Sequence, residues 1–125
     1  MKTLGCVLSV LAGLTALAHL QAFQVSRFAG TWHGKANGLP AVTLTVQETA
    51  GKLTGAIVFY LQKRDAVDLP WRVDGGAVEP LIDPRVDGER LLFEVRRGGD
   101  RVAMSVDLSG VNEARLAGVR LERER

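Results

Sequence analysis

Histidine and serine are the side chains in this sequence that could carry proton transfer or nucleophilic attack. His33 lies in the body of the chain, and the serines that could partner it are Ser26, Ser105 and Ser109. None of these serines lies in a Gly-x-Ser-x-Gly nucleophile elbow. His33 directly follows an apolar tryptophan, so the two side chains face opposite sides of a strand and the histidine points outward. We therefore predict no catalytic residue and expect that the protein is not an enzyme.

Carboxylates at Asp83, Asp87 and Glu94 have part of the spacing of a calcium-binding loop. Arg85, however, places a cation where such a loop needs its third oxygen ligand, and Glu94 falls inside a strand pattern. The single cysteine, Cys6, lies in an N-terminal apolar run and offers no ligand set for zinc. The sequence therefore predicts no metal and no cofactor, and residues 83–88 are interpreted as a turn.

Two aromatic residues have surroundings that indicate a ligand or a partner. Val58 and Tyr60 alternate with the apolar face that carries Phe59, so this strand is apolar on both sides. Such a strand is either central to a packed interior or covered from outside, by residues 63–87, by residues 23–25 or by a second protein. Trp71 follows a proline in a loop pattern, where it is either a lid residue or interface anchor, or packs within its own chain.

Charge and composition limit the classes of partner. The chain has 125 residues, with 16 basic and 14 acidic side chains and a formal net charge of +2. Its length is that of one domain, and its 46% of hydrophobic residues argues against disorder. A net charge this small is far from the basic field of a nucleic-acid binder, so no nucleic-acid partner is expected.

The N-terminus has the three parts of a secretory signal peptide. Lys2 supplies the positive start, residues 4–18 are uncharged and mostly apolar, and small-residue exits end at Ala18 and at Ala22. The run is shorter than the ~20 residues that span a bilayer, so a stable membrane anchor is not expected. We place cleavage after Ala22, with Ala18 as the alternative. Residues 1–22 are then the signal, residues 23–125 form one domain, and the protein is periplasmic or extracellular.

The body of the chain alternates apolar and polar residues with the period of β-strands. Alternation over residues 42–46, 53–61, 91–95 and 102–108 is separated by glycine-containing turns, and residues 114–123 form a last strand with a bulge at Gly118. Residues 63–87 hold three of the four prolines and are predicted as a loop with one or two short strands. The pattern predicts an all-β fold, an antiparallel sandwich or barrel.

Three short motifs in the domain carry a family resemblance. Residues 30–34 read Gly-x-Trp-x-Gly, residues 53–55 read Leu-x-Gly, and residues 91–95 read Leu-x-Phe-x-Val. The first two resemble the entry and second hairpin of calycin barrels, the lipocalins and their avidin-like relatives, and all three resemble the motifs of small exported bacterial domains of this kind. The resemblance implies a small antiparallel meander barrel of about seven or eight strands. It also implies that Trp32 closes the barrel floor beneath an arginine of the last strand, such as Arg115 or Arg120.

Two functions fit these observations. The first is a binding module for a small apolar or amphipathic ligand, held in the barrel or at its mouth. Its candidate contacts are Phe59, Tyr60, Trp71, Arg72 and Phe93. In the 63–87 segment, Trp71 is accompanied by cations at Lys63, Arg64 and Arg72, which suit a ligand with an anionic end and would orient it. The second function is that of an accessory domain, or an inhibitor of a secreted enzyme, that has no ligand of its own.

Export with removal of the signal is directly testable. N-terminal sequencing of periplasmic or secreted protein should find Phe23 or His19 as the first residue, because small residues precede both. Recovery of a stable product that still begins at Met1 would contradict this prediction.

Overall fold

The computed structural model describes residues 27–125, which form nine β-strands and no α-helix. The predicted signal peptide and residues 23–26 lie outside the described residues. The strands are β1 (Gly30–Ala36), β2 (Leu39–Thr49), β3 (Lys52–Lys63), β4 (Arg72–Pro80), β5 (Ile82–Asp87), β6 (Arg90–Arg97), β7 (Asp100–Leu108), β8 (Glu113–Leu116) and β9 (Val119–Arg123). Within residues 27–125 no helix has the length and apolarity needed to cross a membrane.

The nine strands form one antiparallel sheet that curls into a nearly closed barrel, which confirms the predicted fold class. Their spatial order is β4-β3-β2-β1-β9-β8-β7-β6-β5. The two outer strands of this order, β4 and β5, are consecutive in the chain and separated by Leu81 alone. One bent stretch therefore pairs with β3 through its first half and with β6 through its second half.

The middle of the chain is more regular than the sequence predicted. We expected a loop with one or two short strands over residues 63–87, whereas β4 and β5 occupy most of it and only residues 64–71 connect strands irregularly. The predicted extent of the loop was wrong because prolines are excluded from the interior of central strands but tolerated at the edge of a hydrogen-bonded ladder. Pro80 ends β4 and Pro84 lies in β5, and these are the two edge strands. The turn expected at residues 83–88 is displaced to residues 88–89.

The predicted last strand is instead a hairpin. Residues 114–123 divide into β8 and β9, which pair antiparallel around a two-residue turn at Ala117 and Gly118. Both turn residues have positive φ, 47° and 85°. Two positive φ values in succession are those of the type I′ turns that join tightly paired strands. The apolar residues are at even positions up to Leu116 and at odd positions from Val119 onward. This change therefore marks a reversal of the chain and not a bulge.

The inner faces of the strands fill the barrel. Fourteen apolar side chains are buried, and no polar or charged side chain among the described residues is buried with them. The buried residues are Phe28, Trp32, Val42, Leu44, Val46, Leu53, Ile57, Leu91, Phe93, Val95, Val106, Ala114, Leu116 and Leu121. The alternation predicted for β2 and β6 placed the correct residues inside, and in β3 it was correct for Leu53 and Ile57 but wrong for Leu61, which is 51% exposed. Burial of apolar area is thus the main stabilising contribution to this domain.

Gly34, the second glycine of the Gly-x-Trp-x-Gly motif, is required by packing. A Cβ atom there would lie 2.8 Å from methyl groups of Leu121, Val119 and Val42. Three such contacts at once exceed what the neighbouring side chains can accommodate in a close-packed interior. The glycine lets three strands approach each other directly above Trp32.

Trp32 is fully buried and is held by polar contacts at the start of the barrel. Its Nε1 donates a hydrogen bond to the Phe28 carbonyl at 3.0 Å, and the Arg123 guanidinium lies 4.4 Å from its ring centroid. Arg123 in turn donates to the carbonyls of Ala29, at 2.7 Å, and of Arg27. The stacked arginine and the segment 27–29 close this end of the barrel.

The arginine above Trp32 is therefore Arg123, and the proposal of Arg115 or Arg120 was wrong. Arg123 is in register with Trp32 across the β1–β9 ladder and lies on the inner face. Arg115 and Arg120 alternate with buried residues of β8 and β9, so they point outward. Arg120 pairs there with Glu113, at 3.0 Å, and with Glu122, at 3.4 Å.

Replacing Trp32 should cost stability. Trp32→Ala removes a large side chain from a filled interior and should lower the free energy of unfolding by about 3–5 kcal/mol. Trp71→Ala is the matched control, because Trp71 is 37% exposed and outside the core. Urea unfolding of both variants tests this. An equal loss in the two would contradict the assignment of Trp32 to the core.

Candidate functional site

The two ends of the barrel differ in structure. One end holds residues 27–29 and the β2–β3, β5–β6 and β7–β8 connections, and we call it the Trp32 end. The other holds the β1–β2, β3–β4, β6–β7 and β8–β9 connections, and we call it the loop end. Its longest connection is the β3–β4 loop, residues 64–71. This loop begins two residues after Gln62, which is hydrogen-bonded to the β1–β2 turn.

A guanidinium stacked on an aromatic ring orders the β3–β4 loop. The Arg64 guanidinium carbon lies 4.5 Å from the centroid of the Trp71 ring. Arg64 Nη1 also donates to the Val67 carbonyl at 3.1 Å, and the Leu69 amide donates to the Ala66 carbonyl at 3.1 Å. These contacts fold the loop onto its own first residue. Its apolar side chains are consequently presented outward.

Ion pairs hold the base of this loop. Asp74 accepts from Lys63 at 3.0 Å and pairs with Arg72 at 3.4 Å, and Arg72 also lies 3.4 Å from Asp65. The hydrogen bond and charge of Lys63, with a smaller contribution from Arg72, hold the pKa of the Asp74 carboxyl below its usual value of 3.8. Lys63 and Arg72, two cations expected to orient a ligand, are thus already paired with carboxylates.

A second guanidinium–aromatic stack covers the barrel interior at the loop end. The Arg97 guanidinium carbon lies 4.5 Å from the ring centroid of Phe59, and Phe59 is half-buried against the core. Arg97 comes two residues after Val95, so it is on the same, inward-facing side of β6 as Phe93 and Val95. The interior is therefore filled by side chains up to a stacked arginine, and a ligand would meet this arginine before it met the core.

Arg64 and Arg97 share a feature that matters for recognition. Neither forms an ion pair with a carboxylate within residues 27–125, whereas Lys63 and Arg72 both do. An arginine stacked by its face keeps the N–H groups at its edge available, and these match the geometry of carboxylate, sulfonate or phosphate groups. The two stacks are therefore suited to bind an anion beside an aromatic surface.

Exposed apolar residues gather at the same end. Of eight large apolar side chains exposed among the described residues, six lie in or beside the connections of the loop end. They are Leu61, Val67, Leu69, Trp71, Val73 and Val102. The other two are Val78 on the outer face of β4 and Val111 at the Trp32 end. Clustered apolar exposure of this kind marks interaction surfaces.

Charge is distributed unevenly between the ends. The loop end is counted here as its four connections together with the three strand residues on either side of each. These residues carry nine cationic and four acidic side chains, a formal net charge of +5. The rest of residues 27–125 carries six cationic and ten acidic side chains, a formal net charge of −4. The overall charge of the chain conceals this separation, which favours an anionic partner at the loop end.

The five residues predicted as ligand contacts do not form one cluster. Trp71 and Arg72 lie at the loop end, and Phe59 is beneath Arg97. Tyr60 is on the outer face, where its hydroxyl is 3.2 Å from Thr43 Oγ1. Phe93 is buried in the interior, 1% exposed. The sequence analysis missed Arg97, although its parity with β6 was a usable signal, and it missed the stacking of Arg64, which depends on how the loop folds.

His33 is exposed on the outer face, as predicted. Its Nδ1 is 3.2 Å from Thr43 Oγ1 and its Nε2 is 3.2 Å from Glu124 Oε2. With Tyr60, these side chains form a hydrogen-bonded row across the outside of β1, β2 and β3 and onto the C-terminal segment. Within the part of the chain that the structure describes, no group of three or more His, Cys, Asp or Glu residues could hold a metal ion.

A separate groove lies between the start of β3 and β5, where β4 leaves β3. It has a volume of about 690 Å³ between residues 51–55 and 80–86, and it is open to solvent. Its rim carries side chains of both charges, the cations Lys52 and Arg85 and the carboxylate of Asp83.

Comparison of the whole chain with protein-family models, with curated proteins and with solved structures gave no match.

The ion pairs at the base of the loop predict a titration. Because Lys63 lowers the folded-state pKa of Asp74, the contact stabilises the loop base above the unfolded-state pKa and is lost as the pH falls through the folded-state pKa. Lys63→Gln should raise the Asp74 midpoint toward 3.8, as followed by NMR of the carboxyl group. Lys52→Gln, at the other end of β3, is the control. An unchanged midpoint in Lys63→Gln would contradict the assignment.

Proposed function

We propose that this protein is an exported binding module for an anionic amphiphile, a molecule with an apolar body and one anionic group, held at the loop end. The single observation that carries the proposal is the stack of Arg64 on exposed Trp71. It joins an anion-binding edge to an aromatic surface within one short loop. The body of the ligand would lie on Trp71 and Leu69, and its anionic group on a stacked guanidinium.

The balance of forces favours such a ligand over a purely apolar one. Covering exposed apolar area gains roughly 25 cal/mol per Å², which applies to any apolar body placed on Trp71 and Leu69. An anionic group adds charge-assisted hydrogen bonds with Arg64 or Arg97, and these are stronger than neutral ones. The excess of cations at the loop end also attracts anions and disfavours cations.

The filled interior supports a ligand on the end of the barrel and not within it. Fourteen buried side chains occupy the inside, and a barrel of about eight strands is just wide enough for its own side chains. The resemblance to calycin barrels also supports a site at the mouth. The proposal departs from the enclosed ligand chamber of larger lipocalins.

A second candidate function is that of a protein-interaction domain. It is favoured by the outer face of β3 and β4, where half-buried Val58 and Tyr60 adjoin Val78, which is 67% exposed. A partner would cover this face without using the loop end. The two functions therefore predict effects of mutation in different places.

Fluorescence titration with anilinonaphthalene sulfonate, an amphipathic anion, tests the first function. Trp71→Ala should weaken binding by about 1–3 kcal/mol, because the ring supplies most of the apolar contact. Arg64→Gln should weaken it through loss of the charged edge. Both changes lie outside the core, so circular dichroism and the melting temperature should remain close to those of the parent.

Val78→Ser is the matched control, since it removes an exposed apolar side chain from the outer face. Equal loss of binding in Val78→Ser and Trp71→Ala would overturn the proposed site. If the parent bound no probe, the proposed function would be wrong and the protein-interaction function would replace it.

A further inference from the structure

We propose that the amphiphile bound at the loop end is lipid in a membrane surface, and that this end docks reversibly on an anionic bilayer with the β3–β4 loop inserted. This inference rests on the proposed function and names its partner. It adds that the binding surface is an interface of many lipids and not a pocket for one molecule.

The shape of the loop favours a surface over a single small molecule. Small-molecule sites are concave and enclose most of the ligand, whereas the apolar side chains of this loop project outward. Val67, in the middle of the loop, is 83% exposed, and Leu69 and Trp71 are 46% and 37% exposed. Such an outward-projecting group suits a partner that deforms around it, as the headgroup region of a bilayer does.

The charges of the loop suit shallow insertion. Between Lys63 and Asp74 three cations meet three carboxylates, so this segment has no formal net charge. Lys63, Arg72 and Asp74 are paired with one another at its base, which lowers the cost of bringing them near an apolar phase. Trp71 has the amphipathic ring that is enriched at membrane interfaces.

The cations that would meet lipid headgroups surround the loop. Arg96 and Arg97 end β6, Arg101 begins β7, and Lys35 is near the end of β1. Arg97 stacks on Phe59, whose partner in β4 is Ala77, so the β6–β7 cations lie beside the β3–β4 hairpin, behind its loop. An apolar centre with cations around it is the arrangement that binds anionic membrane surfaces.

The separation of charge along the barrel orients the molecule. Screening at physiological ionic strength reduces charge interactions over about 8 Å, whereas a nine-residue strand is roughly 30 Å long. A docked barrel is therefore attracted through its loop end, with a net charge of +5. The oppositely charged remainder, at −4, lies further along the barrel, apart from Glu94, Glu113 and Glu122, which pair with Arg101 and Arg120 of the loop end.

Co-sedimentation with lipid vesicles tests this inference. The parent should bind vesicles of phosphatidylcholine containing about one quarter phosphatidylglycerol, and binding should fall about tenfold or more in pure phosphatidylcholine or in about 0.5 M salt. The chain provides a matched pair of valines, since Val67 and Val111 are both 83% exposed but lie at opposite ends. Val67→Asp should abolish most binding, and Val111→Asp should leave it unchanged.

A second measurement reports directly on insertion of Trp71. Vesicles with brominated acyl chains quench tryptophan that enters the bilayer, and the quenching should disappear in Trp71→Phe because Trp32 is buried. Equal binding of Val67→Asp and Val111→Asp, or quenching that survives Trp71→Phe, would overturn the inference. Binding of monomeric anilinonaphthalene sulfonate without binding of vesicles would also overturn it, while leaving the proposed function intact.

Discussion

The hydrogen bond from the Leu81 amide to the Gly55 carbonyl, at 2.9 Å, holds the bend between the two edge strands against β3. It lies where β4 leaves β3 and the chain turns to pair with β6, which is the point at which the sheet curls into a barrel. Gly55 is suited to this position because a Cβ atom there would be 2.1 Å from the Thr45 carbonyl oxygen and 3.1 Å from Leu81. The absence of one side chain thus lets β2, β3 and the bend approach closely enough to close the barrel.

Closure determines what the rest of the molecule can do. Once the edges meet, the inner face is sealed and filled, so stability rests on the interior and on Trp32 beneath Arg123. Connections at the loop end are then free of the hydrogen-bonded ladder, and recognition concentrates in such connections. The six exposed apolar residues there do not contribute to the core. On the proposed function, binding and stability are therefore divided between the two ends.

The sequence predicted the fold well where one face of a strand is buried, because alternation then follows directly from the pleat. Leu44, Ile57 and Phe93 were placed correctly for this reason. The prediction failed at β4 and β5, whose tolerance of Pro80 and Pro84 depends on their being edge strands. The arginine over Trp32 could not be chosen either, since that required the pairing register of β9 with β1. Both failures concern which strands are neighbours in the sheet. The alternation of residues within one strand does not encode this.

An arginine stacked on an aromatic ring occurs three times within residues 27–125. The three guanidinium groups differ in how many hydrogen bonds they donate. Arg123 over Trp32 donates to two backbone carbonyls and is committed to structure. Arg64 over Trp71 donates to one, and Arg97 over Phe59 pairs with no carboxylate among residues 27–125. An arginine has five N–H donors, so unused donors increase from the Trp32 end to the loop end. Stacking alone therefore does not distinguish structure from recognition. The position of the unpaired donors does, because Arg123 Nε is unpaired but buried, whereas Arg64 and Arg97 are exposed at the end where the apolar residues are exposed.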